Sequence, residues 1–157
     1  MDEQFTEQYR SAESSLYLVA VGYLHNTEDA KDVMQEAAIS AWQGYGSLRR
    51  KEYFKTWITR IVINKCKSFL RRKRSALCFD DNAGMFYDMP TRDIEIMDAV
   101  CRLDPKLVPY ITLRFYNDMT YEETAESLRV PVSTVKYRTK AALRELEAIL
   151  KGDEDCD

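Results

Sequence analysis

The 157 residues of the chain, 45% hydrophobic and 31% charged, suffice for one or two small hydrophobic cores and leave little low-complexity sequence. The longest apolar runs, such as residues 16–22, are too short to span a membrane, and the acidic N-terminus lacks the basic and apolar regions of a signal peptide. This composition and the net charge of -3 predict a globular protein of the cytoplasm and exclude an integral membrane protein.

Charge is strongly polarised along the chain. Residues 1–48 hold 2 basic and 8 acidic side chains, whereas residues 49–74 hold 11 basic and 1 acidic. A second basic island, residues 106–151, follows an acidic stretch. A surface of mixed positive and negative charge would be equally soluble, so solubility does not explain the basic islands. They indicate a polyanionic partner.

Two helices are predicted in the first 44 residues. Apolar residues recur at helical spacing from Leu16 to Tyr23, and Asn26 is placed to cap the start of a second helix. Gly44 and Gly46 end that second helix. Its apolar stripe comprises Val33, Met34, Ala37, Ala38, Ala41 and Trp42.

A third, long helix is predicted over residues 53–73, with one buried and one cationic side. The buried side comprises Phe54, Trp57, Ile58, Ile61, Cys66 and Phe69. On the opposite side, polar residues recur at i, i+4, i+7, i+11 and i+14, namely Arg60, Asn64, Lys67, Arg71 and Arg74. The uncharged member of this stripe, Asn64, can donate and accept hydrogen bonds at once.

Residues 75–90 lack helical periodicity and indicate a linker between two helical domains. Such a linker would not fix the distance between the two domains. The second domain contains a helix-turn-helix pattern. Thr120 and Glu123 have the spacing of a capping box, so one helix starts at about Tyr121. Pro131 disfavours helical backbone at Val130, which places the turn between the helices. The sequence therefore predicts an all-α fold with two small helical domains.

The second helix of this pattern is basic on its outer side. Ala125, Leu128, Val130 and Val135 supply an apolar seam between the two helices. The residues that point away from the seam are Ser133, Thr134, Lys136, Tyr137 and Lys140. A recognition helix in the major groove carries its base and phosphate contacts there. A short helical hairpin packed only for stability would show the same seam.

Catalytic and metal-binding patterns are missing from the sequence. It contains no nucleophile and base pair, metal cluster or glycine-rich phosphate loop, so we predict a non-enzyme without cofactor or small-molecule substrate. The four cysteines are widely spaced without a C-x-x-C pair, and His25 is the only histidine. Reduced structural thiols are expected rather than a metal site.

Three motifs occur in a recognisable order: an acidic helix with D-A-K-D-V-M-Q-E at residues 29–36, then F-K-T-W-I-T-R-I-V-I-N at 54–64 leading into R-R-K-R at 71–74, then the helix-turn-helix. Together they resemble bacterial RNA polymerase sigma factors of the extracytoplasmic-function type over about residues 5–150. The resemblance implies a polymerase-binding and minus-ten-reading domain (1–74), a linker (75–90), a minus-thirty-five-reading domain (91–151) and an acidic tail (152–157). The alternative is an autonomous helix-turn-helix regulator that binds promoters unaided.

The resemblance also implies the partners of the acidic helix. Asp32, Gln35 and Glu36 would contact the clamp helices of the largest polymerase subunit. Their i, i+3 and i+4 spacing puts the three side chains on one face, where they can meet arginines of a partner helix. A solvated acidic face would show the same spacing. The flap of the second-largest subunit is a further polymerase contact that the resemblance implies for the chain as a whole.

For the minus-ten element, the resemblance implies readers on the third helix, namely Arg60, Asn64, Lys67 and Arg71. The preceding loop, residues 45–53, resembles one that pockets a flipped base. Polar contacts to the extruded base and cationic contacts to the backbone would offset the cost of unstacking. Trp57 matches a tryptophan of the family, but its periodicity assigns it to the core rather than to base stacking.

The helix-turn-helix resembles the family's reader of the minus-thirty-five element. Its contact residues here would be Ser133, Thr134, Lys136, Tyr137, Arg138 and Lys140. The chain departs from the family pattern at Arg129, where Gly is usual, at Pro131, where a capping Ser is usual, at Tyr137, where a small residue is common, and at Thr124, where an aliphatic residue is typical. An anti-sigma factor, often bound to the membrane, is the remaining partner that the resemblance implies.

Overall fold

The computed structural model describes residues 2–75 and 91–154, and this part of the chain is helical without a strand. Its α-helices are α1 (Glu3–Leu24), α2 (Thr27–Gly44), α3 (Phe54–Ser75), α4 (Thr91–Cys101), α5 (Val108–Ile111), α6 (Tyr121–Leu128) and α7 (Val132–Glu154). The predicted all-α fold class is thereby confirmed. The predicted linker falls almost wholly on residues 76–90, which lie outside the described residues, as do Cys78, Cys156 and the end of the acidic tail.

Three short segments connect these helices. The 3-10 turns Tyr45–Ser47 and Lys51–Tyr53 lead from α2 to α3, and the π-helical segment Thr112–Tyr116 continues α5. The connection from α2 to α3 is therefore ordered by local hydrogen bonds, although Gly44 ends α2 as predicted.

Capping side chains fix the starts of the first two helices. Asp2 Oδ1 accepts a hydrogen bond from the Gln4 amide at 3.0 Å, and Asn26 Oδ1 accepts one from the Asp29 amide at 3.0 Å. Each bond satisfies a backbone donor that has no partner within its own helix. The predicted N-cap at Asn26 is confirmed.

The helices α1, α2 and α3 pack on each other in pairs around one apolar core. Leu16, Val33 and Ile58 lie at its centre without exposure to solvent. One residue of the predicted α2 stripe differs: Trp42 is 41% exposed and packs its ring edge against Phe5, with ring centroids 5.2 Å apart. Trp42 lies near the end of α2, where the neighbouring helices cover less of its face.

The helix α3 buries more than the one side that its periodicity predicted. Phe54, Ile58 and Cys66 are buried as expected, but Val62 and Ile63 are buried as well. The reason is tertiary, since α3 packs against α1 and α2 on one flank and against α6 on the other. A helix covered from two directions shows a wider apolar surface than a single stripe.

The C-terminal segment contains the predicted helix-turn-helix. Thr120 and Glu123 form the expected capping box, in which the Thr120 amide donates to Glu123 Oε2 at 2.8 Å and the Glu123 amide to Thr120 Oγ1 at 3.1 Å. The chain then turns at Arg129, whose φ of 57° is left-handed, and resumes as α7 at Val132. Both the start of α6 and the position of the turn agree with the prediction.

The two segments share a core, so the expectation of an unset spacing is wrong for this structure. Val19 of α1 and Ile63 of α3 pack with Leu113 and Met119 of the C-terminal segment, all essentially buried. Val19 belongs to the predicted apolar stripe of α1, whereas Ile63 lies outside the predicted buried side of α3. Periodicity within one helix therefore gave no sign that a second surface is covered.

Candidate functional site

The residues predicted to bind polymerase lie together on α2. Asp32 and Gln35 are exposed, and Glu36 is half-exposed. Glu36 pairs with two cations of α3, Lys65 at 3.9 Å and Arg72 at 3.6 Å, whereas Asp32 has no ion pair within the described residues. Partly exposed pairs of this kind contribute little to stability, so a competing cation of a partner could replace either one.

An apolar residue extends this acidic face. Ile39 is 60% exposed. Together with Asp32, Gln35 and Glu36 it lines a shallow groove between α2 and α3, and Phe69 lines the groove from α3. The sequence prediction missed Ile39, although it stands three residues after Glu36 and four after Gln35 and so continues their face. An exposed aliphatic side chain at that spacing was the available signal.

The predicted minus-ten residues lie on one side of α3. Asn64, Lys67 and Arg71 are exposed, and Arg71 Nη2 donates to Ser68 Oγ at 3.0 Å. Arg60 is half-buried, because its Nη2 donates to the main-chain oxygen of Glu126 in α6 at 2.7 Å. The structure thus leaves three of the four side chains open to solvent and engages the fourth.

Three further cations of α3 face α2. Lys65 and Arg72 approach Glu36, and Lys73 Nζ lies 3.0 Å from Asp29 Oδ2. The basic block of the sequence is therefore divided between two sides of one helix. One side neutralises the acidic helix, and the other presents a cationic stripe.

The loop before α3 holds its aromatic residues in different environments. The Tyr45 ring is buried, its hydroxyl donates to Gln8 Oε1 at 3.0 Å, and Lys51 Nζ lies 3.3 Å from the ring centroid. Tyr53 is exposed, with the Arg50 guanidinium 5.1 Å above its ring. Trp57 is half-buried against the core, so its predicted core role holds in part.

The outer side of α7 presents most of the residues predicted for the minus-thirty-five element. Ser133, Lys136, Tyr137 and Lys140 are exposed, Tyr137 at 76%, and Thr134 is half-buried. Tyr137 is thus a large aromatic side chain that lies almost fully in solvent.

Two of these basic residues already have contacts inside the protein. Arg138 Nη1 donates to the Tyr110 hydroxyl at 2.9 Å, and its guanidinium lies over the Tyr110 ring at 5.5 Å. Lys136 Nζ lies 5.7 Å from the Tyr121 ring centroid. Arg138 is the more firmly held, because it would have to give up a hydrogen bond to reach DNA.

The two thiols in the described part of the chain, Cys66 and Cys101, lie in surroundings that disfavour the reactive thiolate. Burial raises the pKa of Cys66 to about 12, and burial together with the charge of Asp98 raises the pKa of Cys101 to about 12. Both stay protonated at neutral pH, where the thiolate is the reactive form. Across residues 2–75 and 91–154, no cluster of three metal-ligating side chains occurs, and none of the helices has the length and hydropathy of a membrane span.

Comparison with known proteins bears on all of these surfaces. Residues 8–76 match the family described as Sigma-70 region 2, and residues 93–146 match Sigma-70, region 4. The chain is 31% identical over 139 residues to the ECF RNA polymerase sigma-E factor of Haemophilus influenzae, an alignment that covers 76% of this chain and 73% of that protein. It is 29% identical over 142 residues to RNA polymerase sigma factor SigV of Bacillus subtilis, covering 88% and 86% of the two chains.

The fold agrees with that of a solved sigma factor. The structure of RpoE in complex with the anti-sigma factor NepR from Bartonella quintana superimposes with a TM-score of 0.81 at 20% identity, and covers 96% of this chain and 98% of that one. Region 2 carries the acidic α2 face and the cationic α3 stripe, and region 4 carries the helix-turn-helix. The chain belongs to the extracytoplasmic-function sigma factors, the proteins that direct RNA polymerase in transcription initiation.

Proposed function

We propose that the α2 face docks on core RNA polymerase through Asp32, Gln35 and Glu36, on the clamp helices of its largest subunit. Two observations support this role: Asp32 and Gln35 are exposed, and Ile39 adds apolar surface beside them. Interfaces gain most of their energy from a few buried apolar or hydrogen-bonded anchors surrounded by polar residues. Ile39 would supply the apolar anchor and Asp32 the charged one.

The cationic stripe of α3 binds the melted minus-ten element. Lys67 and Arg71 follow the backbone of the single strand, Asn64 contacts an extruded base, and Arg60 joins them once it leaves Glu126. Cations along the backbone with a polar group for the base are the arrangement that single-strand capture requires. Tyr53 is the exposed aromatic residue nearest the start of this helix and is available for stacking.

The outer side of α7 reads the minus-thirty-five element in the major groove. Tyr137 contacts a base edge, Lys136 a base edge or a phosphate, and Ser133, Thr134 and Lys140 the flanking backbone. Arg138 enters the groove only after release from Tyr110. Region 4 would also contact the flap of the second-largest polymerase subunit.

The domain plan follows from these roles. Residues 1–74 bind polymerase and the minus-ten element, 75–90 link the domains, 91–151 read the minus-thirty-five element, and 152–157 form an acidic tail. The chain acts in the cytoplasm, without a cofactor, and the polymerase performs the chemistry.

An anti-sigma factor is the remaining proposed partner. RpoE of Bartonella quintana is solved with the anti-sigma factor NepR, and CnrH is solved with the cytosolic domain of CnrY. The CnrH fold matches this chain with a TM-score of 0.72 at 22% identity. We infer that a comparable protein, bound to the membrane or soluble, holds this chain inactive until a signal arrives.

The observation that carries the proposal is that the protein presents three separate surfaces. The surface on α2 is acidic with an apolar residue, the one on α3 is cationic, and the one on α7 is basic and includes Tyr137. Run-off transcription with core polymerase on genomic fragments tests it. Discrete transcripts that require both core polymerase and this chain are expected. Two results would favour the autonomous regulator instead. One is the absence of transcripts, and the other is a footprint of the chain alone on the same promoter sites.

A further inference from the structure

One side chain of α1 ties the loop between α2 and α3 at two points. Tyr45, at the start of the loop, donates its hydroxyl hydrogen to Gln8 Oε1 at 3.0 Å. Gln8 Nε2 in turn donates to the carbonyl of Lys51, near the end of the loop, at 3.3 Å. A primary amide carries a donor and an acceptor on one planar group, so a single glutamine can hold both ends.

Lys51 closes this set of contacts into a ring. Its Nζ donates to the Tyr45 carbonyl at 2.9 Å and lies over the Tyr45 ring. Gln8, Tyr45 and Lys51 thus each contact the other two, and together they form what we term the Gln8 clamp. The Tyr45 ring also packs edge-on against Phe5 and Phe54, with centroids 5.1 and 5.9 Å apart. Because aromatic rings favour this geometry, the base of the loop has a defined position.

Between the two ends of the clamp the loop forms an arch, residues 46–50. All of its residues except Leu48 are exposed, among them Arg49 and Arg50. Inside the arch the Leu48 amide donates to the Tyr45 carbonyl at 3.1 Å, the same carbonyl that accepts from Lys51. The arch therefore combines a solvent-facing cationic surface with a shape that is set at its two ends.

We propose that the Gln8 clamp holds this arch in the shape that receives the extruded base of the minus-ten element, with Gln8 and Lys51 as positioning residues for base selection. The inference rests on the proposed function, in which an extruded base is captured beside α3. A loop already in its bound shape loses little conformational entropy on binding. A base that fits the arch then gains its full contact energy, whereas a base that does not fit gains little from an ordered or a mobile loop. Loss of the clamp should therefore lower the discrimination between bases.

Two substitutions test the clamp without changing the arch. Gln8→Ala removes both of its bonds to the loop, whereas Tyr45→Phe removes one hydroxyl and keeps the aromatic packing. The double variant should be no worse than Gln8→Ala, because substitutions that remove the same contact are not additive. Gln4→Ala is the matched control, since Gln4 is a glutamine of the same helix whose side chain is exposed. Both alanine substitutions raise the helix propensity of α1 equally.

Hydrogen exchange in the free chain measures the order of the loop. We expect the peptide that spans residues 46–53 to exchange faster in Gln8→Ala than in the wild type, and at the wild-type rate in Gln4→Ala. Circular dichroism verifies that each variant keeps its helices. Unchanged exchange in Gln8→Ala would show that the loop keeps its shape without the clamp and would overturn the proposal.

Base selection is measured with the reconstituted holoenzyme on pre-melted promoters that carry each of the four bases in turn at each minus-ten position. The wild type and Gln4→Ala should favour one base at the extruded position. That preference, the ratio of affinities for the best and the other bases, should fall about five-fold in Gln8→Ala, as expected for the loss of one hydrogen bond, and less in Tyr45→Phe. Preference at the minus-thirty-five element should not change.

Three results would contradict the proposal in different ways. An unchanged base preference in Gln8→Ala, with the wild type selective, would leave base capture intact and overturn the role of the clamp. An equal loss of affinity for all templates, without a change in preference, would make Gln8 a general structural residue. A wild type indifferent to the base at every minus-ten position would overturn the proposed capture of an extruded base, and with it this role of Gln8.

Discussion

Arg129 is the residue at which the turn of the helix-turn-helix departs from its family. Its φ of 57° and ψ of 48° are left-handed, and its side chain is exposed. A residue with a β-carbon is disfavoured there by about 1–2 kcal/mol, whereas glycine is not. The chain therefore makes the left-handed turn that glycine makes in the family, and the β-carbon of Arg129 adds an energetic cost.

Arg129→Gly should accordingly stabilise the protein. We expect a gain of about 0.5–1 kcal/mol in the free energy of unfolding, because the relief of strain exceeds the added entropy of the unfolded chain. Urea denaturation measures it. Arg144→Gly, at an exposed position within α7, is the control and should lose about 1 kcal/mol. Equal losses for both variants would show that the Arg129 side chain makes a stabilising contact.

Local signals explain which residues could be predicted. The caps at Asn26 and Thr120 were predictable because a cap depends on residues within one turn. The burial of Ile63 and the engagement of Arg60 were not, because both depend on α6 and on the segment ahead of it, which lie more than fifty residues away. Thr124, which stands where an aliphatic residue is typical, is buried, and its hydroxyl has no hydrogen-bond partner in the described residues.

At the scale of elements, α2 carries acidic residues with two different duties. Asp29 and Glu36 pair with cations of α3, whereas Asp32 points to solvent beside Ile39. Sequence spacing grouped Asp32 with Glu36, since both lie on one face. The structure adds that only part of this face is free for a partner.

Asp32→Lys should therefore weaken binding to core polymerase by about 2 kcal/mol or more, because a charged interface contact is reversed. Co-purification with core enzyme followed by titration measures the loss. Glu28→Lys is the control, because Glu28 lies on the same helix and pairs locally with Lys31 at 3.2 Å. Equal binding by a folded Asp32→Lys protein would remove α2 from the polymerase interface.

The proposed promoter contact of α3 that is easiest to test is Asn64. Asn64→Ala should slow open-complex formation, because an extruded base loses the polar contact that offsets unstacking. Transcription from duplex and from pre-melted templates is the comparison, and pre-melting should partly restore it. Lys65→Ala, which removes a cation facing α2, serves as the control. The same defect on both templates would make Asn64 a structural residue.

The proposed role of α7 is to set the sequence preference at the minus-thirty-five element. Tyr137→Ala should change the preferred minus-thirty-five sequence, and Lys136→Ala should also lower affinity, with about 1–3 kcal/mol at stake for a good base contact. Selection from a randomised promoter library by the reconstituted holoenzyme reveals both effects. Lys151→Ala, near the end of the same helix and paired with Glu147, should change neither. An unaltered preference in both variants would place base readout elsewhere.

At the scale of the whole molecule, the charge polarity of the sequence is partly cancelled in the fold. Lys65, Arg72 and Lys73 lie against acidic residues of α2, so the field that α3 offers to DNA is weaker than its composition suggests. The packing of α6 on α3 also covers the start of the stripe. We expect both features to reduce the affinity of the free chain for DNA.

Core polymerase would remove both limits by engaging the acidic face and holding the two regions at promoter spacing. Linked contacts on one ligand reinforce each other only when geometry lets them engage together. The sequence predicted this division of roles from the placement of charge together with the resemblance to the sigma factors. It did not predict that α1 and α3 pack against the C-terminal segment, because this packing arises from contacts between distant residues.

Titration of a fluorescent duplex promoter, identified by run-off transcription, with the chain alone and with core polymerase tests the central claim most directly. At near-physiological salt we expect weak, non-specific binding by the chain alone and tight, sequence-specific binding once core polymerase is added. Nanomolar, sequence-specific binding by the chain alone, with no gain from core polymerase, would contradict a polymerase-dependent initiation factor and indicate an autonomous regulator.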